Sequence, residues 1–326
     1  MLTMSDILAP MRVLITDDTH PVLLTKLSDA GIQCHVRTDL DYNGILQILG
    51  DYDALVVRSK IPIDRSFIDR ARHLRCIARV GAGMETIDVA YAESRGIRCL
   101  NSPEGNRTAV GEHTVGLLLA LFDKICKADN EIRSGLWLRE DNRGLEVAGK
   151  TVAIIGFGNM GSSFARCLSG FGCNIIAYDK YKKGHAPDYV AEVSLQQCFE
   201  QADVVSFHVP LTAETRYYAD SRFLDSFAKN IYLINTSRGA VVQTSALVEA
   251  LKNGKVAGAA LDVLEYENMA KDGLGSNNMP EDMKYLTKCQ NVVFTPHVAG
   301  WTAESKVKLA AILADKIIET LKTNKI

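Results

Sequence analysis

One stretch of the sequence, residues 151–161, constrains the fold more than any other. It is an apolar run, rich in β-branched residues, that ends on Gly156, Gly158 and Gly161 in the spacing Gly-x-Gly-x-x-Gly. A helix-compatible segment, 162–169, follows at once. In a strand–turn–helix unit the first glycine permits a tight turn, the second lets the backbone approach a pyrophosphate, and the third lets the helix pack closely on the sheet. The pattern therefore predicts a dinucleotide site where that helix begins.

The acidic residue that such a site needs follows the next apolar run. Residues 174–178 are mostly apolar and are followed by Asp179. A carboxylate at this position accepts hydrogen bonds from the adenosine ribose hydroxyls and repels a 2′-phosphate, so the sequence favours NAD over NADP. The lysines of the run 180–183 would offset part of this repulsion, although a solvated surface patch also accounts for them. The alternative to a dinucleotide site is a glycine turn in an ordinary βαβ unit. That interpretation does not account for Asp179.

The bulk composition narrows the class of protein. A length of 326 residues predicts about two domains, and the 47% hydrophobic content is enough for large cores. The formal net charge of −2 predicts no general attraction to nucleic acid or to a membrane surface. No run approaches the roughly 18 apolar residues of a spanning helix, and residues 1–10 lack the pattern of a signal peptide. We therefore expect a cytoplasmic protein.

The cysteines and histidines show no metal-ligand spacing, so no metal site is predicted. We expect the cysteines to be reduced, buried, small apolar side chains, because they are scattered and form no Cys-x-x-Cys pair. They are Cys34, Cys76, Cys99, Cys126, Cys167, Cys173, Cys198 and Cys289. His113, in a helical and apolar stretch, is expected to be a satisfied core group.

Strand-like and helix-like segments alternate along the chain, which predicts an α/β fold with mostly parallel sheets. One series of strands occupies residues 11–80, and the pattern restarts at Thr151. A helical pattern over 108–133 is apolar enough to be well buried, and a last helix is predicted over 303–321. The segment 269–280 is rich in Gly, Asn and Met and is predicted to be an exposed loop. We expect two Rossmann-like parallel-sheet domains, with the last helix returning to the first of them.

Three polar residues follow strands of the second unit, at the edge where such sheets carry their working groups. A dehydrogenase acting on a hydroxy acid needs a guanidinium for the carboxylate and carbonyl, an imidazole that exchanges a proton, and a carboxylate that holds the imidazole. Arg238, His297 and Glu267 fill these roles in turn. Taken singly, each has an ordinary interpretation: a surface ion pair, a satisfied turn histidine and a solvated loop charge. Their joint placement favours catalysis.

Several motifs together resemble the D-isomer-specific 2-hydroxyacid dehydrogenase family over nearly the whole chain. The motifs are Gly81-Ala-Gly-Met-Glu-Thr-Ile-Asp88, Gly111-Glu-His-Thr114, Gly156-Phe-Gly-Asn-Met-Gly161, His208-Val-Pro-Leu-Thr-Ala-Glu-Thr215, Asn235-Thr-Ser-Arg-Gly-Ala240, Ala260-Leu-Asp-Val263 and Pro296-His-Val-Ala-Gly300. The resemblance implies a flavodoxin-like split catalytic domain, residues 1–106 and 302–326. It also implies a central NAD-binding Rossmann domain, residues 107–301, through which a homodimer usually forms.

The resemblance also implies the roles of individual residues. It makes Arg238, Glu267 and His297 catalytic. Besides Gly156, Gly158 and Gly161, the residues that it places around the cofactor are Asn159, Met160, Asp179, Pro210, Thr215, Thr236, Ser237, Asp262, His297 and Gly300. Two features depart from the family pattern: the segment 267–297 is longer than in many members, and Trp301 stands where a smaller residue is common. Both are expected to reshape the mouth of the cleft.

Within the family, the chain most resembles D-3-phosphoglycerate dehydrogenases of the short kind, without a C-terminal regulatory domain. Arg58 and Arg79, after two strands of the first domain, match positions that resemble phosphate-binding arginines, and paired arginines suit phosphate. Backbone N–H groups of Ala82, Gly83 and Met84 would take the substrate carboxylate. The alternative is that both arginines pair with acidic neighbours.

We therefore expect an NAD-dependent enzyme that interconverts a D-2-hydroxy acid and its 2-keto acid. The leading candidate substrate is 3-phosphoglycerate, and the enzyme would then act in serine synthesis. The alternatives within the family are a glyoxylate or hydroxypyruvate reductase and a D-lactate dehydrogenase. A different class, an NAD-sensing protein like the corepressors that share this fold, also remains open.

Overall fold

The computed structural model describes residues 10–270 and 279–323. In chain order, the strands are β1 (Arg12–Ile15), β2 (Gln33–Val36), β3 (Ala54–Val57), β4 (Cys76–Arg79), β5 (Arg98–Leu100), β6 (Thr151–Ile155), β7 (Asn174–Tyr178), β8 (Ala191–Glu192), β9 (Val204–Phe207), β10 (Ile231–Asn235), β11 (Val256–Leu261) and β12 (Val292–Phe294). The helices are α1 (Val22–Asp29), α2 (Tyr42–Ile48), α3 (Arg65–Arg70), α4 (Val89–Ser94), α5 (Arg107–Phe122), α6 (Ile125–Arg133), α7 (Asn159–Leu168), α8 (Leu195–Gln201), α9 (Ser221–Asp225), α10 (Thr244–Lys252), α11 (Glu267–Ala270), α12 (Glu281–Leu286) and α13 (Ala303–Lys322).

The chain divides into two compact units. Unit 1 comprises Met1–Asn106 and Trp301–Ile326, and unit 2 comprises Arg107–Gly300. The first boundary falls where the sequence places it, after residue 106. The second falls before Trp301, one residue earlier than predicted, so Trp301 belongs to unit 1.

Unit 1 is built on a five-stranded sheet with the order β2-β1-β3-β4-β5, in which every described pair is parallel. This is the flavodoxin-like order. The central strands are buried on both faces because helices cover them. Helix α13 supplies Leu313, Ile317 and Leu321 to the core that contains Val13 of β1. The predicted return of the last helix to the first unit is therefore present.

Unit 2 is built on a seven-stranded sheet with the order β12-β11-β10-β9-β6-β7-β8, again with parallel pairs throughout the described strands. The order reverses between β6 and β9, and in such sheets this point is where ligands bind. The predicted α/β class with two Rossmann-like sheets is confirmed. Helices α5 and α7 pack closely, since a side chain on Gly111 would overlap the backbone of Ser163.

The helical pattern over 108–133 was predicted to be one buried helix, and this is wrong. The chain breaks between α5 and α6 at Lys124, whose φ of 53° is left-handed. Helix α5 is largely buried, but no residue of α6 is. The broken helix exposes an apolar surface that the sequence pattern had assigned to a core.

The predicted exposed loop over 269–280 is also partly wrong. Met269 lies in α11, and Met279 is buried with Met283 of α12. Residues 271–278 of that prediction lie outside the described residues.

The eight cysteines, all within the described part of the chain, are free thiols. Cys76 and Cys198 are buried, which raises the pKa of each thiol to about 12. Cys126 is exposed, contrary to the expectation of burial, because it lies on α6. Across residues 10–270 and 279–323, no helix has the length and apolarity required to span a bilayer.

Candidate active site

The glycine turn after β6 has the geometry that its sequence predicts. Gly156 has φ of 91°, and a side chain there would meet the carbonyl of His208. A side chain on Gly161 would overlap the carbonyl of Gly156. Both positions therefore require glycine for the fold itself, one for conformation and one for the close approach of α7 to the turn.

Gly158 is different, and it provides a test of whether a pyrophosphate fits. It has ordinary φ of −87°, it precedes α7 without a side-chain cap, and an added Cβ would meet nothing within 4 Å. The protein does not need glycine here for its own packing, and open space lies beside this position. The first turn of α7, with Asn159 and Met160, has N–H groups that lack partners within the helix and carries the positive end of its dipole. The residues present fit a dinucleotide phosphate.

Asp179, directly after β7, anchors the same turn. One carboxylate oxygen accepts a hydrogen bond from the N–H of Phe157 at 2.8 Å, and the other accepts from the N–H groups of Tyr181 and Lys182 at 2.9 Å each. Burial alone would raise the pKa of Asp179, but these hydrogen bonds outweigh it and the pKa is lowered. The group is therefore an anion at neutral pH. The oxygen that accepts from Phe157 alone retains acceptor capacity for a ribose hydroxyl.

The lysine run beside Asp179 is partly neutralised within the protein. Lys180 forms an ion pair with Glu214, and the hydroxyl of Tyr181 donates to the same carboxylate. Glu214 thereby links the loop after β7 to the loop after β9. A cavity of about 320 Å³ lies beside Asp179, and its lining includes Lys182 and Lys183.

His297 and Glu267 form the pair that the sequence predicts. Nδ1 of His297 lies 2.7 Å from Oε1 of Glu267. Since a carboxylate accepts, this contact places the imidazole proton on Nδ1 and leaves Nε2 for proton exchange. Glu265, two residues earlier, has other partners: its oxygens accept from the hydroxyl of Tyr217 and the N–H of Thr244. Glu265 therefore holds neighbouring segments, and Glu267 is the partner of the imidazole.

The backbone of His297 is left-handed, with φ of 57°, and such a conformation costs roughly 1–3 kcal/mol in a non-glycine residue. A buried carboxylate holds it there. Oδ1 of Asp262 accepts from the N–H of Val298 at 2.8 Å and the hydroxyl of Thr295 at 2.6 Å, and Oδ2 accepts from the N–H of Ala299 at 2.9 Å. The N–H of His297 itself donates to the carbonyl of Asp262 at 2.7 Å.

Asp262, which is predicted to contact the cofactor, is buried, with 1% of the residue exposed, and that contact remains a prediction. Burial alone would raise its pKa, but the hydrogen bonds it accepts lower the pKa overall. His113 was expected to be a satisfied group, and its Nε2 lies 3.0 Å from the Thr295 hydroxyl and 3.5 Å from Oδ1 of Asp262. Sequence reasoning missed this support, although it had noted the motif that contains His113.

Arg238 follows β10 in a turn that is fixed by Asn235. The buried Asn235 side chain accepts from the N–H and hydroxyl of Ser237 and donates to the carbonyl of Arg238. Next to it, a side chain on Gly239 would overlap the backbone of Leu264. This contact packs the Arg238 turn against the segment that leads to Glu267. The guanidinium is half-buried, and its Nη1 donates to the Ser237 carbonyl at 2.7 Å.

The other predicted cofactor residues of unit 2 mostly shape loops. The hydroxyls of Thr236 and Ser237 are buried, and that of Thr236 lies 3.2 Å from the hydroxyl of Thr114. The Thr215 hydroxyl donates to the carbonyl of Pro210 at 2.5 Å. Gly300 is half-buried at the end of unit 2. Their contact with a cofactor remains a prediction.

In unit 1, the predicted substrate loop after β4 has its carbonyl groups turned into the protein. The carbonyls of Gly81, Ala82 and Gly83 accept from the N–H of Ser102, the side chain of Asn101 and Nη1 of Arg79. A trans peptide directs its C=O and N–H oppositely. The N–H groups of Ala82, Gly83 and Met84 therefore point away from these partners, as in the concave backbone sites that bind anions.

Arg58 and Arg79 have unequal surroundings. Arg79 donates from Nε to the carbonyl of Arg58 at 2.9 Å and from Nη1 to that of Gly83 at 2.7 Å, so much of its donor capacity serves the backbone. Arg58 is half-buried, and its guanidinium carbon lies over the ring of Trp301. In residues 10–270 and 279–323, no three His, Cys, Asp or Glu side chains are grouped to hold a metal ion.

The chain is similar in sequence and fold to known dehydrogenases and reductases. A D-3-phosphoglycerate dehydrogenase of Methanocaldococcus jannaschii is 34% identical over 319 residues, which cover 96% of this chain and 58% of that protein. A hydroxypyruvate reductase of Thermotoga maritima is 35% identical over 283 residues, which cover 86% of this chain and 89% of that protein. The crystal structure of a glyoxylate reductase from Paecilomyes thermophila has a TM-score of 0.85 and 25% identity, and 98% of each chain is covered.

The chain thus spans little more than half the length of the phosphoglycerate dehydrogenases that it matches, and most of the length of the hydroxypyruvate reductase. Residues 115–299, more than half of the chain, match the family model described as "D-isomer specific 2-hydroxyacid dehydrogenase, NAD binding domain". The chain belongs to the D-isomer specific 2-hydroxyacid dehydrogenase family, and unit 2 contains its NAD-binding domain.

Proposed function

We propose that the protein is an NAD-dependent oxidoreductase that interconverts a D-2-hydroxy acid and the corresponding 2-keto acid. The observation that carries this proposal is the His297–Glu267 pair, at 2.7 Å, on the same sheet as the glycine turn and Asp179. NAD, when bound, supplies the hydride acceptor or donor. Gly158, the first turn of α7 and Asp179 would hold it.

The residues of this chain would supply the acid–base chemistry. Nε2 of His297 would remove the hydroxyl proton during oxidation and return it during reduction. Glu267 would hold the ring and stabilise its protonated form as an opposite charge. Arg238, fixed by Asn235 and Gly239, would bind the carboxylate and polarise the carbonyl with planar, charge-assisted hydrogen bonds.

For the substrate, we propose 3-phosphoglycerate and its keto acid, and hence a place in serine synthesis. The N–H groups of Ala82, Gly83 and Met84 would bind the carboxylate. Arg58 would bind the phosphate. The likeness to phosphoglycerate dehydrogenases over 96% of the chain supports this choice.

A second candidate is the reduction of glyoxylate or hydroxypyruvate. It is favoured by the hydroxypyruvate reductase, which the chain covers over 89% of its length. It is also favoured by Arg79, whose guanidinium donates to two backbone carbonyls, because a phosphate site would then depend mainly on one arginine.

A substrate panel distinguishes the two candidates. The purified protein is assayed for NADH oxidation with 3-phosphohydroxypyruvate, hydroxypyruvate, glyoxylate and pyruvate. The proposal expects the highest kcat/KM with the phosphorylated acid. A higher value with hydroxypyruvate or glyoxylate would select the second candidate.

The His297→Asn variant tests the catalytic assignment. It should reduce kcat by roughly 10³-fold or more, because general acid–base catalysis is lost. NADH binding, measured by the cofactor's fluorescence, should change little. If the wild-type protein binds NADH but turns over none of the acids, an NAD-sensing role replaces the enzymatic proposal.

We also propose that the protein is a cytoplasmic homodimer formed through unit 2. Large apolar side chains are exposed on α6 and the segment after it. They are Ile125, Ile132, Leu136, Trp137, Leu138 and Leu145. We call this set the arm surface. Exposed apolar patches of this kind mark protein interfaces, and the free thiols fit a reducing compartment.

A further inference from the structure

Trp301 is an exposed tryptophan with a specific partner. The residue is 65% exposed, yet its ring lies 4.4 Å from the guanidinium carbon of Arg58. Both residues belong to unit 1. At this distance the cation lies over the ring face and is attracted by the ring quadrupole, and tryptophan is the aromatic residue with the strongest such interaction.

The backbone of Arg58 is held from both sides. Its N–H donates to Oδ2 of Asp17 at 3.0 Å, and its carbonyl accepts from Nε of Arg79 at 2.9 Å. Since Arg58 also follows directly after β3, the base of its side chain has a fixed place. What remains free to vary is the direction of the long side chain, and the stacking on Trp301 restricts that.

Trp301 is in turn held at the start of α13. The next residue, Thr302, caps the helix: its hydroxyl accepts from the N–H of Ser305 at 3.0 Å, and its own N–H donates to the Ser305 hydroxyl at 3.0 Å. This reciprocal capping box fixes the direction in which the chain enters the helix. The backbone at Trp301 therefore has a fixed direction, and the ring contacts Arg58 from there.

A guanidinium that stacks through its face keeps its edge available for an anion. The N–H donors of arginine lie in the plane of the group, so stacking does not use them. The neighbouring carboxylate of Asp17 opposes an anion, but it already accepts the N–H of Arg58. Arg79, which donates to two backbone carbonyls, is better placed to shape the loop than to replace Arg58.

We propose that Trp301 is a positioning residue that orients Arg58 to bind the anionic group at the end of the substrate remote from the reacting carbon. This inference rests on the proposed function, because it concerns the phosphate end of the same substrate. It also accounts for the tryptophan at position 301, where a smaller residue is common in the family: Trp301 sets the preference for a phosphorylated acid.

Steady-state kinetics with matched acids tests the role of Trp301. In Trp301→Leu, KM for 3-phosphohydroxypyruvate should rise about tenfold with kcat nearly unchanged, and KM for hydroxypyruvate should stay the same. Trp301→Phe, which keeps an aromatic face, should restore most of the affinity. Val307→Ala, a change at another exposed apolar residue of α13, is the control and should alter neither constant. Equal changes of KM for both acids would overturn the inference.

A binding measurement gives a readout that does not depend on turnover. The chain has two tryptophans, so in Trp137→Phe the fluorescence reports on Trp301. Titration of this variant with 3-phosphoglycerate should give a saturable change in emission. The same titration with Arg58→Gln added should give none. A response that persists without Arg58 would contradict the pairing.

The two levels of proposal fail in different ways. If the wild-type protein reduces 2-keto acids but does not prefer the phosphorylated one, the role of Trp301 is overturned and the oxidoreductase assignment stands. If it reduces none of them but shows the Arg58-dependent fluorescence response, the oxidoreductase assignment is overturned and the anion site stands.

Discussion

At the scale of single residues, a carboxylate that no substrate would touch controls the placement of the imidazole. Asp262 is buried and accepts hydrogen bonds from three groups of the segment 295–299. These bonds offset the strain of the left-handed His297 backbone. The position of His297 is therefore a property of Asp262 as much as of its own sequence neighbours.

Replacement of Asp262 by Asn tests this control. The free energy of unfolding at pH 7 should fall by about 2 kcal/mol, because charge-assisted hydrogen bonds in a buried site are weakened. The value of kcat should fall as His297 loses its fixed place, while NADH affinity changes little. Urea unfolding and NADH titration measure these quantities.

The pH dependence of the same variant has a definite sign. The pKa of Asp262 is lowered in the folded protein. Its ionised form therefore stabilises the fold above the ordinary Asp pKa, near 4, and this stabilisation is lost as the pH falls through the lowered value. The stability difference between wild type and Asp262→Asn should shrink in that acidic range. A difference that is independent of pH would contradict the role given to the charge.

Cofactor choice is a second residue-scale property. Glu214 neutralises Lys180, the lysine next to Asp179. In Glu214→Gln, the freed Lys180 should raise the NADP-to-NAD ratio of kcat/KM by roughly fivefold, and Asp179→Asn should raise it further. Glu281→Gln removes a similar exposed ion pair, that with Lys284, and serves as the control. An unchanged ratio in Glu214→Gln would mean that Lys180 has no part in the choice.

The sequence predicted the candidate catalytic residues, but it did not predict all of the residues that hold them in place. Arg238, Glu267 and His297 were found because each follows a strand of one sheet, and the strand ends of a parallel sheet lie together. His113 lies far from His297 along the chain, and no local pattern indicates that it meets Thr295.

At the scale of elements, the glycines of the turn before α7 have separable roles. A methyl group at Gly161 would overlap the Gly156 carbonyl, but one at Gly158 would meet no protein atom within 4 Å. The first position serves packing, and we propose that the second serves a ligand.

Alanine substitutions should separate the two roles. Gly161→Ala should lower the free energy of unfolding by about 1–3 kcal/mol, as overpacking does. Gly158→Ala should leave stability within about 1 kcal/mol, since its φ suits alanine, and should weaken NADH binding at least tenfold. Urea unfolding and NADH fluorescence distinguish them. Wild-type NADH affinity in Gly158→Ala would contradict the assignment of that space to the pyrophosphate.

Strands were predicted from the sequence where an apolar run was continuous, and they were missed where apolar and polar residues were mixed. Strand β7 has the bounds of the apolar run 174–178, because buried parallel strands are continuously apolar. The edge strand β2 was not identified, since none of its residues is fully buried. The break at Lys124 has no proline or glycine to signal it.

At the scale of the molecule, the arm surface is the feature that a single chain does not explain. Trp137 is 77% exposed, and helix α6 buries none of its residues. The proposed homodimer would cover these side chains.

The double variant Leu136→Asp, Trp137→Asp should weaken self-association roughly 100-fold or more, since buried aromatic residues dominate interfaces. Sedimentation equilibrium measures the change. Tyr189→Asp, at an exposed aromatic residue elsewhere in unit 2, should leave association unaltered. A wild-type protein that sediments as a monomer would refute the proposed dimer.

The two-unit organisation was expected from the sequence because the β/α alternation stops and restarts. The boundary at Trp301 was misplaced by one residue, since nothing in the local pattern separates Gly300 from the helix that follows.

The packing of α13 has a consequence for how the protein is made. Gly105 lies so close to the backbone of Leu309 that a side chain there would overlap it, and Leu313, Ile317 and Leu321 complete the core of unit 1. A nascent chain therefore holds all of unit 2 before the ribosome has synthesised what unit 1 needs. We expect chains that are truncated after residue 300 and released from the ribosome to resist protease within unit 2 and to be cut within residues 10–106. Unit 2 would thus fold first, and unit 1 would fold only after α13 has been synthesised.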